Sequence, residues 1–251
     1  MNDVIRWNDE FYILASSSLA ENRVQVLKHG ETFAVFDRYG DIHQVIPGPQ
    51  GLYHEGTRFL SQFELTLGTH RPLLLSTSVK EDNALLTVDL TNPDLTCDGQ
   101  DLVPRGTLHL CRTRFLWNGT CHERIRIHNY GNSGFPLAIR IAMDADYADL
   151  FEARGQQRER RGQRLHTLHS GEGLVLGYEG LDRVIRRTHV RCWPTPDHVA
   201  VGGLILESFV GPRSDVSWDL AIACEIEPRH SQVFLCYDQG RTESDCALKA
   251  A

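Results

Sequence analysis

Apolar and polar residues alternate with a period of two through much of the chain. From Leu137 to Ala145, Leu137, Ile139, Ile141, Met143 and Ala145 fall on one side, with Arg140 and Asp144 on the other. Val216, Trp218, Leu220, Ile222, Cys224 and Ile226 repeat the pattern. In Phe59–Leu67 the positions Phe59, Phe63, Leu65 and Leu67 oppose Gln62, Glu64 and Thr66, which reads as one continuous strand. Such alternation predicts strands with one buried face, the habit of antiparallel sheets. Turn residues separate the runs at Tyr39-Gly40-Asp41, Pro47-Gly48-Pro49, Asn129-Tyr130-Gly131-Asn132 and Gly202-Gly203. Asn118-Gly119, set between Leu108–Trp117 and Thr120–His128, predicts a two-residue hairpin of type I′. No long segment carries a helical period. The expected fold is all-β, a large antiparallel β-sandwich of two sheets packed face to face.

Three stretches interrupt the alternation. Asp94–Arg105, with Asn92-Pro93-Asp94 before it and Val103-Pro104-Arg105 at its end, reads as a surface loop. Arg154–Arg164 is rich in arginine and glutamine and reads as a solvated loop. After Ile226, the residues Glu227-Pro228-Arg229-His230 end the last clear strand. Ser231–Tyr237 is expected to add a short strand, and Arg241–Ala251 is helix-prone.

A length of 251 residues suffices for one sizeable core, and 41% hydrophobic and 24% charged residues are ordinary for a globular protein. The net charge of −7 argues against nucleic acid as a partner, because such proteins carry a basic footprint. The seven cysteines include no Cys-x-x-Cys pair, so neither a zinc knuckle nor a dithiol motif is expected. The polar start lacks the apolar core of a signal peptide. No apolar run approaches the roughly 20 residues that span a bilayer. A cytoplasmic protein without a membrane partner is expected.

Candidate chemistry concentrates in two clusters. Tyr53, His54, Glu55 and Arg58 lie within Tyr53-His54-Glu55-Gly56-Thr57-Arg58. A zinc-protease helix would need a second histidine four residues after His54, where Arg58 stands. The cluster is then either a polar corner offered to a sugar or neighbouring domain, or a structural corner in which Arg58 pairs with an acid. The second cluster holds Asp144, Asp146, Asp149, Glu152 and Arg154 at a strand end. If the strand continued, Asp144 and Asp146 would share a side about 6.5–7 Å apart. That overlaps the carboxyl separation of inverting glycosidases, about 6.5–9.5 Å, but any Asp-x-Asp in a strand has it. An EF-hand loop fails, because Asp149 stands at its glycine position and Gly155 at its glutamate position.

His122 and Glu123 are adjacent, and neighbouring strand residues point to opposite faces. His122, Arg124, Arg126 and His128 therefore form a polar stripe, which Arg112 and Arg114 could extend into a basic patch. An aldose-epimerase pairing would need a glutamate from elsewhere, such as Glu55 or Glu152. Nucleophile-elbow and P-loop motifs are absent, and no cofactor or metal is expected. Trp218 reads as core and Trp117 as partly exposed.

The words Phe33-Ala34-Val35-Phe36-Asp37-Arg38-Tyr39-Gly40-Asp41, Tyr53–Ser61, Glu81–Leu95, Arg105–Leu110, Asp144–Gly155 and Gly177–Asp182 recur in order. Together they resemble the N-terminal domain of bacterial glycogen-debranching, amylo-α-1,6-glucosidase-like proteins. The resemblance implies a galactose-mutarotase-like supersandwich that packs on a glycoside-hydrolase (α/α) barrel, in cis or trans. In the family that barrel carries the chemistry. The expectation is a sandwich over residues 1–227, with 228–251 its end and a linker remnant toward the barrel, which this chain lacks. A non-catalytic domain that helps shape an α-glucan cleft is expected. An autonomous epimerase-type enzyme and a stand-alone α-glucan-binding module are the alternatives.

Overall fold

The computed structural model describes residues 4–7, 10–13, 24–44, 48–80, 82–97, 100–200, 202–228 and 234–250. Antiparallel strands make up most of it, as the alternation predicts. The largest sheet has nine strands. At its middle lie Ile185–Trp193, Asp215–Ile226, Thr120–Asn129 and Leu108–Trp117, flanked by Gly173–Glu179 on one side and Leu86–Thr91 on the other. A four-stranded sheet runs His198–Ala200, Gly203–Val210, Phe135–Asp144, Gln62–Leu67, and another runs Gln25–His29, Thr32–Phe36, Gly51–His54, Thr57–Leu60. The inner faces of all three share one hydrophobic core, in which Leu110, Ile125, Ile139 and Leu206 are fully buried.

The hairpin at Asn118-Gly119 forms as expected. Trp117 faces Thr120 in the ladder, and the turn residues have φ of 45° and 76°, the left-handed values a type I′ turn requires. In Phe135–Asp144 each of Phe135, Leu137, Ile139, Ile141 and Met143 is buried, while Pro136 and Arg140 are exposed. Trp218 is core.

Phe59–Leu67 is not one strand. It bends at Ser61, so that Thr57–Leu60 joins one four-stranded sheet and Gln62–Leu67 the other. The buried Ser61 holds the corner by donating from its backbone N–H to Asp144 O at 2.8 Å and from Oγ to the same oxygen at 3.2 Å. Strands that switch sheets in this way build the corners of sandwiches. Asp94–Arg105 is a small hairpin rather than a loop, pairing Leu95–Cys97 with Gln100–Val103. Of the expected strand over 231–237, residues 231–233 lie outside the described residues. Phe234–Cys236 are irregular, and Tyr237 opens a helix.

Two helices occur among the described residues, α1 (Leu150–Ala153) and α2 (Tyr237–Ala250). α2 lies on the outer face of the nine-stranded sheet. The Tyr237 ring meets Phe115 edge-on at 5.1 Å, and its hydroxyl donates to Thr113 Oγ1 at 2.7 Å. Arg124 bridges Asp219 in the sheet to Asp238 in the helix. Gly240 sits so close to His122 that a β-carbon there would lie 3.0 Å from the imidazole. Among the described residues no helix is long and apolar enough to cross a membrane.

Candidate functional site

Three hairpin tips and α2 enclose a cleft of about 650 Å³. The first tip contributes His29, Gly30, Glu31 and Thr32, the second His54 and Glu55, the third Trp117, Asn118 and Gly119. Each tip exists because its strand pair ends in a tight turn with left-handed backbone: Gly30 at 54°, Glu55 at 45° and Gly56 at 78°, then Asn118 and Gly119. The Trp117 and His29 rings meet at 4.6 Å. Glu243 of α2 accepts the Trp117 Nε1–H at 3.1 Å, and Thr32 Oγ1 lies 2.8 Å from His54 Nδ1. His122 completes the wall, stacked on Phe115 at 4.8 Å and 10°. Burial lowers its pKa to about 4 and lowers that of His29, so both imidazoles are neutral near pH 7.

The Tyr53–Arg58 cluster is thus divided. His54 and Glu55 face the cleft, whereas Tyr53 and Arg58 turn inward. Tyr53 is buried, stacks on Phe33 at 4.6 Å and donates its hydroxyl to Pro49 O at 3.1 Å. It offers no platform to a sugar. Arg58, also buried, forks onto Asp146 with Nε–Oδ1 at 3.0 Å and Nη2–Oδ2 at 2.5 Å. Its remaining Nη1 donates to Gly48 O and Gln50 O.

The acidic cluster is an arginine-bound corner. The strand stops at Asp144, and Tyr147 takes φ 53°, so Asp144 and Asp146 do not form a strand-spaced pair. Asp144 meets Arg164 and Asp146 meets Arg58. Asp149 caps α1, accepting from the Phe151 and Glu152 backbone N–H groups, while Glu152 accepts from the Asp149 N–H in a capping box. Arg158 meets Asp149, and Arg161 meets Glu152 at 3.2 Å. The exposed Arg154 closes α1 as its C-cap residue. The polar 154–164 segment is exposed along nearly its whole length, as expected, but Arg158, Arg161 and Arg164 fold back on these acids.

Arg112 and Arg114 do not extend the His122 stripe. They share the inner face with Glu123, and all three are almost fully buried. Arg112 Nε and Arg114 Nη2 donate to the two Glu123 oxygens at 2.7 and 2.8 Å, and Arg112 Nη1 donates to Asp41 Oδ1 at 2.7 Å. The remaining stripe is cross-strand paired, Arg124 with Asp219 and Arg126 and His128 with Asp215. Asp37, Asp41 and His43 bring ligand atoms within 4.8 Å of one another. Arg71 occupies that cluster, 2.5 Å from Asp37 and 3.4 Å from Asp41, so it is an ion-pair network.

A family model for the N-terminal domain of (some) glycogen debranching enzymes matches residues 27–223. The chain belongs to this family. The match spans the strands that carry the cleft tips and the arginine-bound corner of this debranching-enzyme domain. Among solved structures it is similar in fold to one named as a kojibiose phosphorylase from the human microbiome, with TM-score 0.51 and 10% identity over 94% of this chain. The chain spans about a third of that protein, 34% of its length. It is also similar to one named as an aldose 1-epimerase from Escherichia coli K12, with TM-score 0.43 and 8% identity over 81% of this chain and 99% of that one. A galactose mutarotase-like protein from Lactobacillus casei gives TM-score 0.43 and 8% identity over 81% of this chain and 100% of that one. No curated protein sequence matches.

Of the cleft residues, His54 and Glu55 are marked by the sequence, whereas His29, Glu31 and Glu243 are not. Trp117 and His122 stand out in it, but nothing along the chain makes them neighbours of His54. One local signal was available: His29-Gly30, His54-Glu55-Gly56 and Trp117-Asn118-Gly119 each place a ring immediately before a glycine turn.

Proposed function

We propose that this domain is the non-catalytic front part of an amylo-α-1,6-glucosidase-like glycoside hydrolase. It packs on a helical (α/α) barrel, in cis or trans, and shapes the α-glucan cleft of that barrel. Residues 1–227 form the sandwich, and 228–251, including α2, lead toward the barrel. The setting is cytoplasmic. The exposed Phe151 on α1 and Leu181 beside the arginine loop offer the barrel an apolar seat.

The observation that carries the reading is the fate of the acidic cluster. A glycosidase needs one carboxylic acid kept protonated and a second carboxylate across the bond. Asp144, Asp146, Asp149 and Glu152 instead each meet an arginine, and two of them also cap a helix. Burial alone would raise Asp149, but the Glu152 and Phe151 N–H groups and Arg158 outweigh it and hold the carboxyl below its ordinary value. That is the wrong direction for a general acid. Glucose release from α-1,6-linked glucan tests the reading, and none is expected from this chain.

A second reading, an epimerase-type enzyme, is favoured by one observation: His122 and Glu55 line the same cleft. Opposing it, His122 is buried beneath α2. Polarimetry on freshly dissolved α-D-glucose and α-D-galactose is expected to show only the uncatalysed rate. Acceleration lost in His122→Asn would favour the enzyme.

A further inference from the structure

The hairpin-tip cleft has a chemistry of its own. Its volume of about 650 Å³ falls within the range of small-ligand sites, about 300–1,000 Å³. Among the described residues its lining contains three carboxylates, Glu31, Glu55 and Glu243, and no lysine or arginine. His29 and His122 are neutral near pH 7, and His54, the third imidazole of the lining, lies against the Thr32 hydroxyl, so carboxylates dominate the charge of the described lining. An anionic ligand such as a sugar phosphate is therefore disfavoured. What the lining does offer is hydroxyl-binding groups beside an aromatic ring: carboxylates, the exposed Asn118 amide, and the Trp117 indole.

Two details mark the cleft as a prepared site. The Glu243 carboxylate, fixed on a helix clamped to the sheet by Arg124, holds the indole N–H and so fixes the Trp117 ring. His122 is 2% exposed, yet its Nδ1 is buried without a hydrogen-bond partner among the described residues. A buried polar atom left so costs free energy, about 1–3 kcal/mol.

We propose that this cleft binds an uncharged oligosaccharide, with a pyranose ring stacked on Trp117 and its hydroxyls hydrogen-bonded to Glu31 and Glu55. The choice of an α-glucan as that saccharide rests on the function proposed above. A flat apolar sugar face on an indole, ringed by acceptors, is a division of labour that suits a neutral polyol.

The test is isothermal titration of the full chain with maltotetraose and, separately, with glucose 1-phosphate. Maltotetraose is expected to bind and the phosphate to give no heat. Trp117→Ala is expected to weaken binding by about tenfold or more, and Trp117→Phe by less, because a ring is retained. Glu31→Ala, which removes an exposed side chain and keeps the backbone carbonyl that accepts the Glu55 N–H, is expected to weaken it severalfold with the unfolding midpoint unchanged. The proposal is overturned by absence of maltotetraose binding, by affinity that Trp117→Ala and Glu31→Ala both leave unchanged, or by binding of the phosphate as strong as that of the glucan. Glucose release by the chain would contradict the non-catalytic reading and leave the site standing. Loss of binding would remove the site and leave that reading standing.

Discussion

Glu123→Ala is expected to lower the unfolding free energy by about 3–5 kcal/mol, which places it among the most damaging single changes available to this fold. Glu123 is 0% exposed and is the shared acceptor for two guanidinium groups that are themselves buried. Removing it leaves Arg114 with no carboxylate partner among the described residues and Arg112 with Asp41 alone. The cost comes from stranding buried positive charge rather than from losing a favourable pair, since buried pairs contribute little net stability. The surrounding rings supply no counter-charge: Arg114 lies 4.5 Å over Phe36 and 4.6 Å over Phe63, an attraction of about 2 kcal/mol for a desolvated pair. For a domain of this size the loss corresponds to a fall in Tm of about 6–20 °C. Urea unfolding of Glu123→Ala beside a surface control such as Glu207→Ala checks it, and a loss of under about 1 kcal/mol would contradict the clamp.

The same clamp gives a pH dependence with a defined sign. Burial would raise the Glu123 carboxyl, but Arg112 and Arg114 outweigh it, and its folded pKa lies below the ordinary 4.5. Its contribution is therefore fully present above about pH 4.5 and is lost as pH falls through the lower folded value. Asp41 works the other way. Burial raises its pKa against the pull of Arg112, so it takes up a proton earlier in the folded chain than in the unfolded one.

Arg58→Ala is expected to cost about 3 kcal/mol or more while leaving saccharide binding in the cleft unchanged. The guanidinium meets Asp146 bidentately and also satisfies the Gly48 and Gln50 carbonyls, so truncation leaves one buried charge and two acceptors short of partners. Its stem crosses Gly51, where an added β-carbon would stand 2.5 Å from the Arg58 Cδ, so the strand pair is built around this side chain. Paired melting and titration measurements separate the roles. An unchanged Tm with abolished saccharide binding would move Arg58 from the scaffold to the ligand.

The parts of the fold legible in the sequence are those fixed by neighbours along the chain. The Asn118-Gly119 turn and the alternation in Phe135–Asp144 need only local backbone chemistry and a buried face. The Ser61 corner was not legible, because the residues on either side continue the same alternation. The deciding hydrogen bonds come from Asp144, 83 positions away. Arg112 and Arg114 read as surface charge until Glu123 and Asp41, the latter 71 positions from Arg112, are brought beside them. A warning was present: Glu123 shares a strand face with Cys121, Ile125 and Ile127, and a charged glutamate on an apolar face requires a partner. The cleft was half legible for the same reason. Each tip is a recognisable turn, but their convergence depends on the order of strands in two sheets.

On the function proposed above, this sandwich holds no glycosidase chemistry by itself. Glucose release from an α-1,6-branched limit dextrin, followed with the purified chain in large excess over the amount a debranching enzyme requires, tests it most directly. Release no faster than the buffer blank is expected, with maltotetraose binding intact in the same preparation. Release above the blank that is abolished by Glu55→Gln would contradict it.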